Sequence, residues 1–287
     1  MVDGRSRGAA HPANPVRLTV VGSVNLDLVT RATRLPRPGE TLTDGSFDRY
    51  PGGKGANQAV AAARLGAEVT FVGCVGRDSF ADEALAGLRE AQVDLRVEVV
   101  EAPTGVASIL VDEAGENAIV VAPGANRAVR APRFDGGEAV LCQLEIPVET
   151  VIECAATAAS FWLNAAPAVP IPASLVERAD VIVANRYELE ELPATPEVAV
   201  VTLGEEGAVL LEDGRETARA RPPTVNAVDG TAAGDAFVAC LVVSRLEGRA
   251  WDEALRRSCA AGALAASRAG AQPSLPAAAQ IDEILRA

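Results

Sequence analysis

The sequence predicts an α/β fold: a doubly wound, mainly parallel sheet with helices on both faces, plus a small β lid. Three observations point there. From residue 17 onward, short β-branched runs alternate with Ala-rich helical stretches. The runs are apolar almost throughout, as strands buried on both faces must be. Each run ends in polar residues, which places those residues on one edge of a parallel sheet, where ligands bind in open α/β folds.

The first strand is "RLTVVG", starting at Arg17. Residues 28–50 then break the rhythm, with turn signals in "RPGETLTDG" and no helical stretch between extended runs. A helix follows over 55–65, ended by Gly66. The strand "VTFVGCVG" leads to a helix over 79–91, and residues 96–121, with "VDEAGENAIV", form a second hairpin-like segment. These two segments form either a lid sheet over the main one or ordinary edge strands. "AVLCQL", a helix over 148–158, "FWLN", a helix over 173–179, "DVIVAN", "VAVVTL" and "AVLLED" continue the alternation. Helices over 233–246, ended by Gly248, and 251–268 complete it. No second domain is indicated: residues 16–287 read as one unit. Residues 1–15 read as a solvated tail, because "MVDGRSRGAAHPANP" lacks an apolar signal core.

Composition removes several function classes. The formal net charge of −13 argues against a basic surface for nucleic acid or anionic membrane. No apolar run is long enough to span a bilayer. A phosphate group would have to be held by backbone N–H groups and helix ends. Five cysteines, widely spaced in apolar contexts, read as buried free thiols of a reducing cytoplasm. The single histidine, His11, lies in the tail, so histidine-based nucleophile activation and histidine metal ligation are both removed. A general base must be a carboxylate, a lysine or a tyrosine.

The polar strand ends are Ser23, Asn25 and Asp27 after the first strand, then Arg77 and Asp78, Glu145, Asn164, Asn185 and Glu188, and Thr202, Gly204 and Gly207. Singly, each fits a helix cap or turn former as well as a ligand contact. Together they converge on one rim. "VDGTAAGDAF" (228–237) is the sharpest local signal. Ala232, Ala233 and Gly234 open a helix whose unpaired N–H groups could face an anion, and Asp235 follows in its first turn. Locally, that carboxylate could be no more than a dipole partner. Functionally, it could accept a hydroxyl proton while the N–H groups stabilise a phosphoryl group in transfer.

The only lysine, Lys54, lies in "PGGKGANQAV". Its compact ammonium fits a glycine-walled pocket where arginine's planar fork would need more room. Gly53 and Lys54 are not followed by Ser or Thr, so this is not a Walker loop, and "GCVGRD" lacks the third glycine of a dinucleotide fingerprint.

Taken together, "GSVNLD", "PRPGET", "GGKGANQAVAAARLG", "VGRDSF", "GENAIV", "QLEIP", "NRYELE", "TLGEEG", "VDGTAAGDAF" and "SRAGAQPSLP" resemble the ribokinase-like family of carbohydrate kinases from about residue 17 to the C-terminus. The resemblance implies ATP-dependent phosphorylation of D-ribose to D-ribose 5-phosphate. Its alternatives are another sugar or a nucleoside, or a non-catalytic sugar-binding regulator. It implies that Asn25, Asp27, Gly53, Lys54, Asn57 and Glu145 contact the sugar, that Asp235 is the base, and that Ala232, Ala233 and Gly234 form an anion hole. Asn185 and Glu188 would help place magnesium and phosphates through water, and Thr202, Gly204 and Gly207 would lie along ATP. Asp229, Thr231, Ala265, Arg268, Gly270 and Ser274 would hold a monovalent cation, potassium, mostly by backbone oxygens. The lid would double as the surface of a homodimer. Two departures stand out. Gly230 replaces a more usual threonine in the cation loop. The connection over 192–198 is short, which would uncover sheet near the nucleotide side.

Overall fold

The computed structural model describes residues 16–134 and 136–286. The stretch 1–15, with His11, lies outside the described residues. Along the chain the strands are β1 (Arg17–Val21), β2 (Asn25–Arg31), β3 (Ser46–Gly52), β4 (Glu68–Gly76), β5 (Asp94–Val100), β6 (Gly105–Val111) and β7 (Asn117–Ala122). They continue as β8 (Ala139–Gln143), β9 (Ser160–Asn164), β10 (Val181–Asn185), β11 (Val198–Thr202), β12 (Ala208–Glu212) and β13 (Arg215–Ala220). The helices are α1 (Lys54–Arg64), α2 (Phe80–Ala84), α3 (Ala86–Glu90), α4 (Val148–Thr157), α5 (Ala173–Arg178), α6 (Arg186–Glu190), α7 (Ala233–Leu246), α8 (Trp251–Ala266) and α9 (Ala278–Ile284).

The main sheet runs β13-β12-β11-β10-β9-β8-β1-β4-β5. Every pairing from β11 through to β5 is parallel, and β12 and β13 close one edge antiparallel. Successive side chains of a strand point to opposite faces, and both faces here are buried. On β1, Leu18 and Val20 join the core under α1, α7 and α8, while Val21 joins the core under α4 and α5. Leu141 and Val183 face the first core; Cys142 and Ile182 face the second. Two-sided burial is why these strands read as unbroken apolar runs.

A second sheet has the order β3-β2-β6-β7. β2 pairs antiparallel with β3 and parallel with β6, and β6 pairs antiparallel with β7. Its small core is Val29, Ala107 and Ile109. Because β2 begins at Asn25, immediately after the carboxyl end of β1, this sheet rises from the rim where the polar strand ends gather.

Several boundaries differ from expectation. Residues 96–100 of the segment 96–121 belong to β5, parallel to β4 in the main sheet, so the second part of the small sheet starts at Gly105. The helix expected over 79–91 is broken at Leu85 into α2 and α3. β13, "RETARA", has no apolar run to betray it, since it is an edge strand with mostly exposed residues. All five cysteines are buried free thiols. Among the described residues, no helix is long and apolar enough to cross a membrane.

Candidate active site

Asp235 lies in the first turn of α7 and is 7% exposed. Each of its carboxylate oxygens accepts one amide: Asn57 Nδ2 donates to Oδ2 and Gln58 Nε2 to Oδ1, both at 2.9 Å. A carboxylate oxygen has two lone pairs, so both oxygens keep capacity for a further donor. Burial raises the pKa of Asp235, while the charge of Lys54 and the Asn57 and Gln58 amides oppose that shift. Asn57 Oδ1 is buried and has no partner among the described residues.

Lys54 is the first residue of α1. A cation at a helix N-terminus is unfavourable against the dipole, and here three carboxylates compensate. Burial would lower the Lys54 pKa, but Asp235, Glu145 and Glu188 together hold it above the usual lysine value. Glu145, just beyond β8, is fixed by Ser23 Oγ donating to its Oε2 at 2.5 Å and by the backbone N–H of Lys54 donating to the same oxygen at 3.1 Å. Gly53 caps α1 with φ +89°, and a Cβ there would lie 2.8 Å from the Asn25 nitrogen. The glycine thus allows both the backbone conformation and the close approach of α1 to the start of β2.

Asn25 and Asp27 enter the same space from β2. Asn126 Nδ2 donates to Asn25 Oδ1 at 2.7 Å, which fixes the orientation of that amide. The Asp27 pKa is pushed up to about 7 by burial first, then by the charges of Glu145 and Asp235. Asn25, Asp27, Gly53, Lys54, Asn57, Glu145 and Asp235 are therefore brought to one place from four separate parts of the chain.

α7 starts with Ala232 as its cap in the left-handed conformation, φ +61°, a backbone state that costs a non-glycine residue about 1 kcal/mol or more. The Ala233 N–H is turned back to the Gly230 carbonyl at 3.2 Å. The N–H groups of Ala232, Gly234 and Asp235 have no acceptor among the described residues, so of the expected trio of Ala232, Ala233 and Gly234 only Ala233 is engaged, and the Asp235 N–H adds a further free donor. Beside them opens a cavity of about 630 Å³. Thr202, Gly204 and Gly207 line it, together with Gly230, Ala233 and Gly234. Its apolar walls include Phe237 from α7, Ala263 from α8, and Pro222 and Val225 from the segment after β13.

Asn185 and Glu188 are not part of that lining. They cap α6 reciprocally: the Glu188 N–H donates to Asn185 Oδ1 at 2.8 Å, and the Asn185 N–H donates to Glu188 Oε2 at 2.9 Å. One Glu188 oxygen remains for a ligand. Among the described residues, no cluster of three or more His, Cys, Asp or Glu forms a cage for a metal.

Asp229 joins two loops, accepting the Thr231 N–H at 2.9 Å and the Gly270 N–H at 3.0 Å. Burial would raise its pKa; these donors and Arg31, 3.6 Å away on β2, bring it below the ordinary aspartate value. The Ala265 carbonyl accepts the Arg268 N–H, and Ser274 Oγ donates to the Ala271 carbonyl. A Cβ on Gly230 would meet nothing within 4 Å, so the loop has room for the side chain it lacks. The short connection over 192–198 leaves a separate hollow of about 400 Å³ lined by Leu192, Pro196 and Leu211, which shares no lining residue with the larger cavity.

Sequence reasoning misses the residues that support these groups. Ser23 and Asn164 figure in it only as strand ends, and Asn126, Gln58 and Gln143 not at all. The "NQ" doublet at 57–58 was the available signal, with the two amides side by side next to the lysine motif.

The model of the pfkB family of carbohydrate kinases matches residues 16–278. The chain is 35% identical to the ribokinase of Bacillus subtilis over 291 residues, 93% of this chain and 99% of the relative. Among solved structures, a ribokinase of Thermotoga maritima is 31% identical with a TM-score of 0.83, covering 95% of this chain and 100% of that one. The ribokinase of Arabidopsis thaliana complexed with ribose and ATP is 29% identical with a TM-score of 0.83, covering 95% and 99%.

Proposed function

This chain belongs to the pfkB family of carbohydrate kinases, and from that premise we propose that it transfers the γ-phosphoryl group of ATP to the primary hydroxyl of D-ribose, giving D-ribose 5-phosphate and ADP. One observation carries the reading. Asp235 stands between a pocket of polar side chains and a nucleotide-sized cavity, at a helix start whose Gly234 and Asp235 N–H groups are free among the described residues.

The residues divide the work. Asn25, Asp27, Lys54, Asn57 and Glu145 bind the sugar, and the unpartnered Asn57 Oδ1 accepts one of its hydroxyl hydrogens. Asp235 takes the proton of the attacking hydroxyl as its oxygen bonds to phosphorus and the bond to the ADP bridging oxygen breaks. Free N–H groups at the start of α7 and the Lys54 ammonium stabilise the charge on the moving phosphoryl group. Most of the rate then comes from positioning and electrostatics.

Magnesium fits a site of this donor chemistry, held mainly by the triphosphate and water with the free Glu188 oxygen as the protein's share; when bound it neutralises phosphate charge. A monovalent cation, potassium, would be held beside the Asp229 carboxylate, mostly by backbone oxygens of the loops that carry Thr231, Ala265, Arg268, Gly270 and Ser274; the N–H groups of Thr231 and Gly270 support this reading by fixing that carboxylate. We place the protein in the cytoplasm, acting without nucleic acid or membrane, and as a homodimer through the small sheet.

ATP turnover with D-ribose, with and without magnesium and in potassium against sodium buffers, tests the reading. Magnesium-dependent, potassium-stimulated turnover is expected. Turnover with a different pentose, a hexose or a nucleoside in place of ribose would move the substrate assignment, and no turnover with any of them would overturn the reading.

A further inference from the structure

Behind Asp235 lies a chain of amides that the sugar and nucleotide contacts do not use. Gln58 and Gln143 are fully buried, and Asn164 is 7% exposed. Gln58 comes from α1, Gln143 ends β8 and Asn164 ends β9. Gln143 Nε2 donates to Gln58 Oε1 at 2.6 Å. Gln58 Nε2 in turn donates to Asp235 Oδ1 and to Asn164 Oδ1, both at 2.9 Å. Asn164 Nδ2 donates to the Val183 carbonyl on β10 at 3.1 Å.

Each link has a direction. The Val183 carbonyl can only accept, so Asn164 must turn its NH2 toward β10 and its oxygen toward Gln58. Gln143 Nε2 meets the Gln58 oxygen on the sheet side. The Asn164 oxygen and the Asp235 carboxylate, both acceptors, leave the Gln58 NH2 facing the carboxylate. A flipped Gln58 would set its carbonyl oxygen against Asp235 and Asn164 Oδ1, losing both of those bonds, and would lose the Gln143 bond as well unless the Gln143 amide, whose Oε1 is buried with no partner among the described residues, turned with it. Gly22 closes the far side: a Cβ there would lie 2.2 Å from Gln143 Oε1, so the glycine leaves Gln143 the space it occupies.

The geometry points to Gln58 and Gln143, anchored by Asn164, as positioning residues for the phosphoryl-transfer base: a directed amide relay from the sheet edge that aims Asp235 and keeps it ionised. The assignment rests on Asp235 being the base in the proposed reaction. The relay gives a physical reason for burying a carboxylate that must still act as a base. Burial favours its protonated form; amide donors favour the charged form without adding a second charge that would bind the transferring group. The other charged groups facing Asp235 are Lys54 from α1, Glu145 beyond β8 and Asp27 from β2. Of these, only Lys54 also favours ionisation.

The test compares the intact protein with Gln58→Met and Gln143→Met, changes that keep a long unbranched side chain and remove the amide. Folding is checked by thermal unfolding, and either variant that folds decides. The expected result is a fall in kcat of about tenfold to a hundredfold, the scale that misplacing a reacting group brings, with KM for the sugar little changed. The acid limb of the kcat profile should also move to higher pH. A readout independent of turnover is the carboxyl 13C NMR titration of Asp235, assigned with Asp235→Asn; its midpoint should rise in Gln58→Met. A folded Gln58→Met variant with native kcat and an unmoved titration overturns the relay, as does a rise in KM alone. If the native protein phosphorylates no sugar, the functional reading falls, and the NMR titration still decides whether the relay holds Asp235 ionised.

Discussion

Ser23 donates its hydroxyl hydrogen to Glu145 across 2.5 Å, joining the turn after β1 to the turn after β8. The same Ser23 oxygen accepts the Gly55 N–H at 3.3 Å, so one side chain ties Glu145 to the start of α1. Adjacent parallel strands, paired from Leu18–Ala139 to Val21–Cys142, bring these turns side by side. The hydroxyl then sets where the carboxylate points.

Ser23→Ala should therefore weaken sugar binding more than it slows chemistry. A hydrogen bond to a charged group contributes about 1.5–3 kcal/mol, but the Lys54 N–H still holds the same Glu145 oxygen. A rise of about tenfold in KM for the sugar, with kcat within about threefold, is the expected outcome in steady-state kinetics. An equal loss in kcat would instead place Ser23 in the support of the transition state.

Asp235→Asn keeps the shape of the base and removes its basicity. Loss of a general base costs about 10²–10⁴ in rate, while the Asn57 and Gln58 contacts can still be met in part by the new amide oxygen. Calorimetric titration with sugar should give near-native affinity beside a kcat reduced on that scale. Near-native turnover would remove Asp235 from the role of base.

The difference between Asp235 and Gln58 shows what the sequence makes legible. Strand-end groups such as Asn25, Glu145 and Asn164 are visible because apolar runs mark the strands and a parallel sheet gathers their carboxyl ends. Asp235 is visible because small residues open its helix. Gln58 is marked only by the amide doublet it forms with Asn57: it is a polar residue within an Ala-rich helix, and its burial depends on partners 85, 106 and 177 positions away. The same limit hides β13, whose polar sequence is set by its edge position, and the membership of residues 96–100 in the main sheet, which pairing with β4 decides. The turned-back Ala233 N–H is equally hidden, since it follows from the left-handed backbone at Ala232.

The small sheet makes a prediction about assembly. All six residues of β7 are exposed, Ile119 at 53% and Val120 at 72%, and Phe47 on β3 is 58% exposed. β7 is also an edge strand with an unpaired side, and an apolar edge is a place where chains pair. Sedimentation velocity at micromolar concentration should show a dimer, and Val120→Glu or Ile119→Lys should shift it to monomer without loss of folded structure. A native monomer under those conditions would refute the assembly through this face.

Asp27 makes a prediction about pH. Its folded-state pKa of about 7 lies well above the ordinary aspartate value of about 4, so the unfolded chain ionises it more readily than the folded protein does. Its contribution to stability is therefore fully present below about pH 4 and is lost as pH rises through 7. Asp27→Asn removes the penalty for a buried charge beside Glu145 and Asp235. The variant should be more stable than the native protein by about 1–3 kcal/mol at pH 8, with a smaller gain at pH 5. It should also bind sugar less well, because a hydrogen-bond acceptor of the pocket has lost its charge. Denaturant unfolding of both proteins at the two pH values checks the sign. An equal gain at both would mean that the folded protein keeps Asp27 ionised even at pH 5, with Lys54 screening it more strongly than its two carboxylate neighbours repel it.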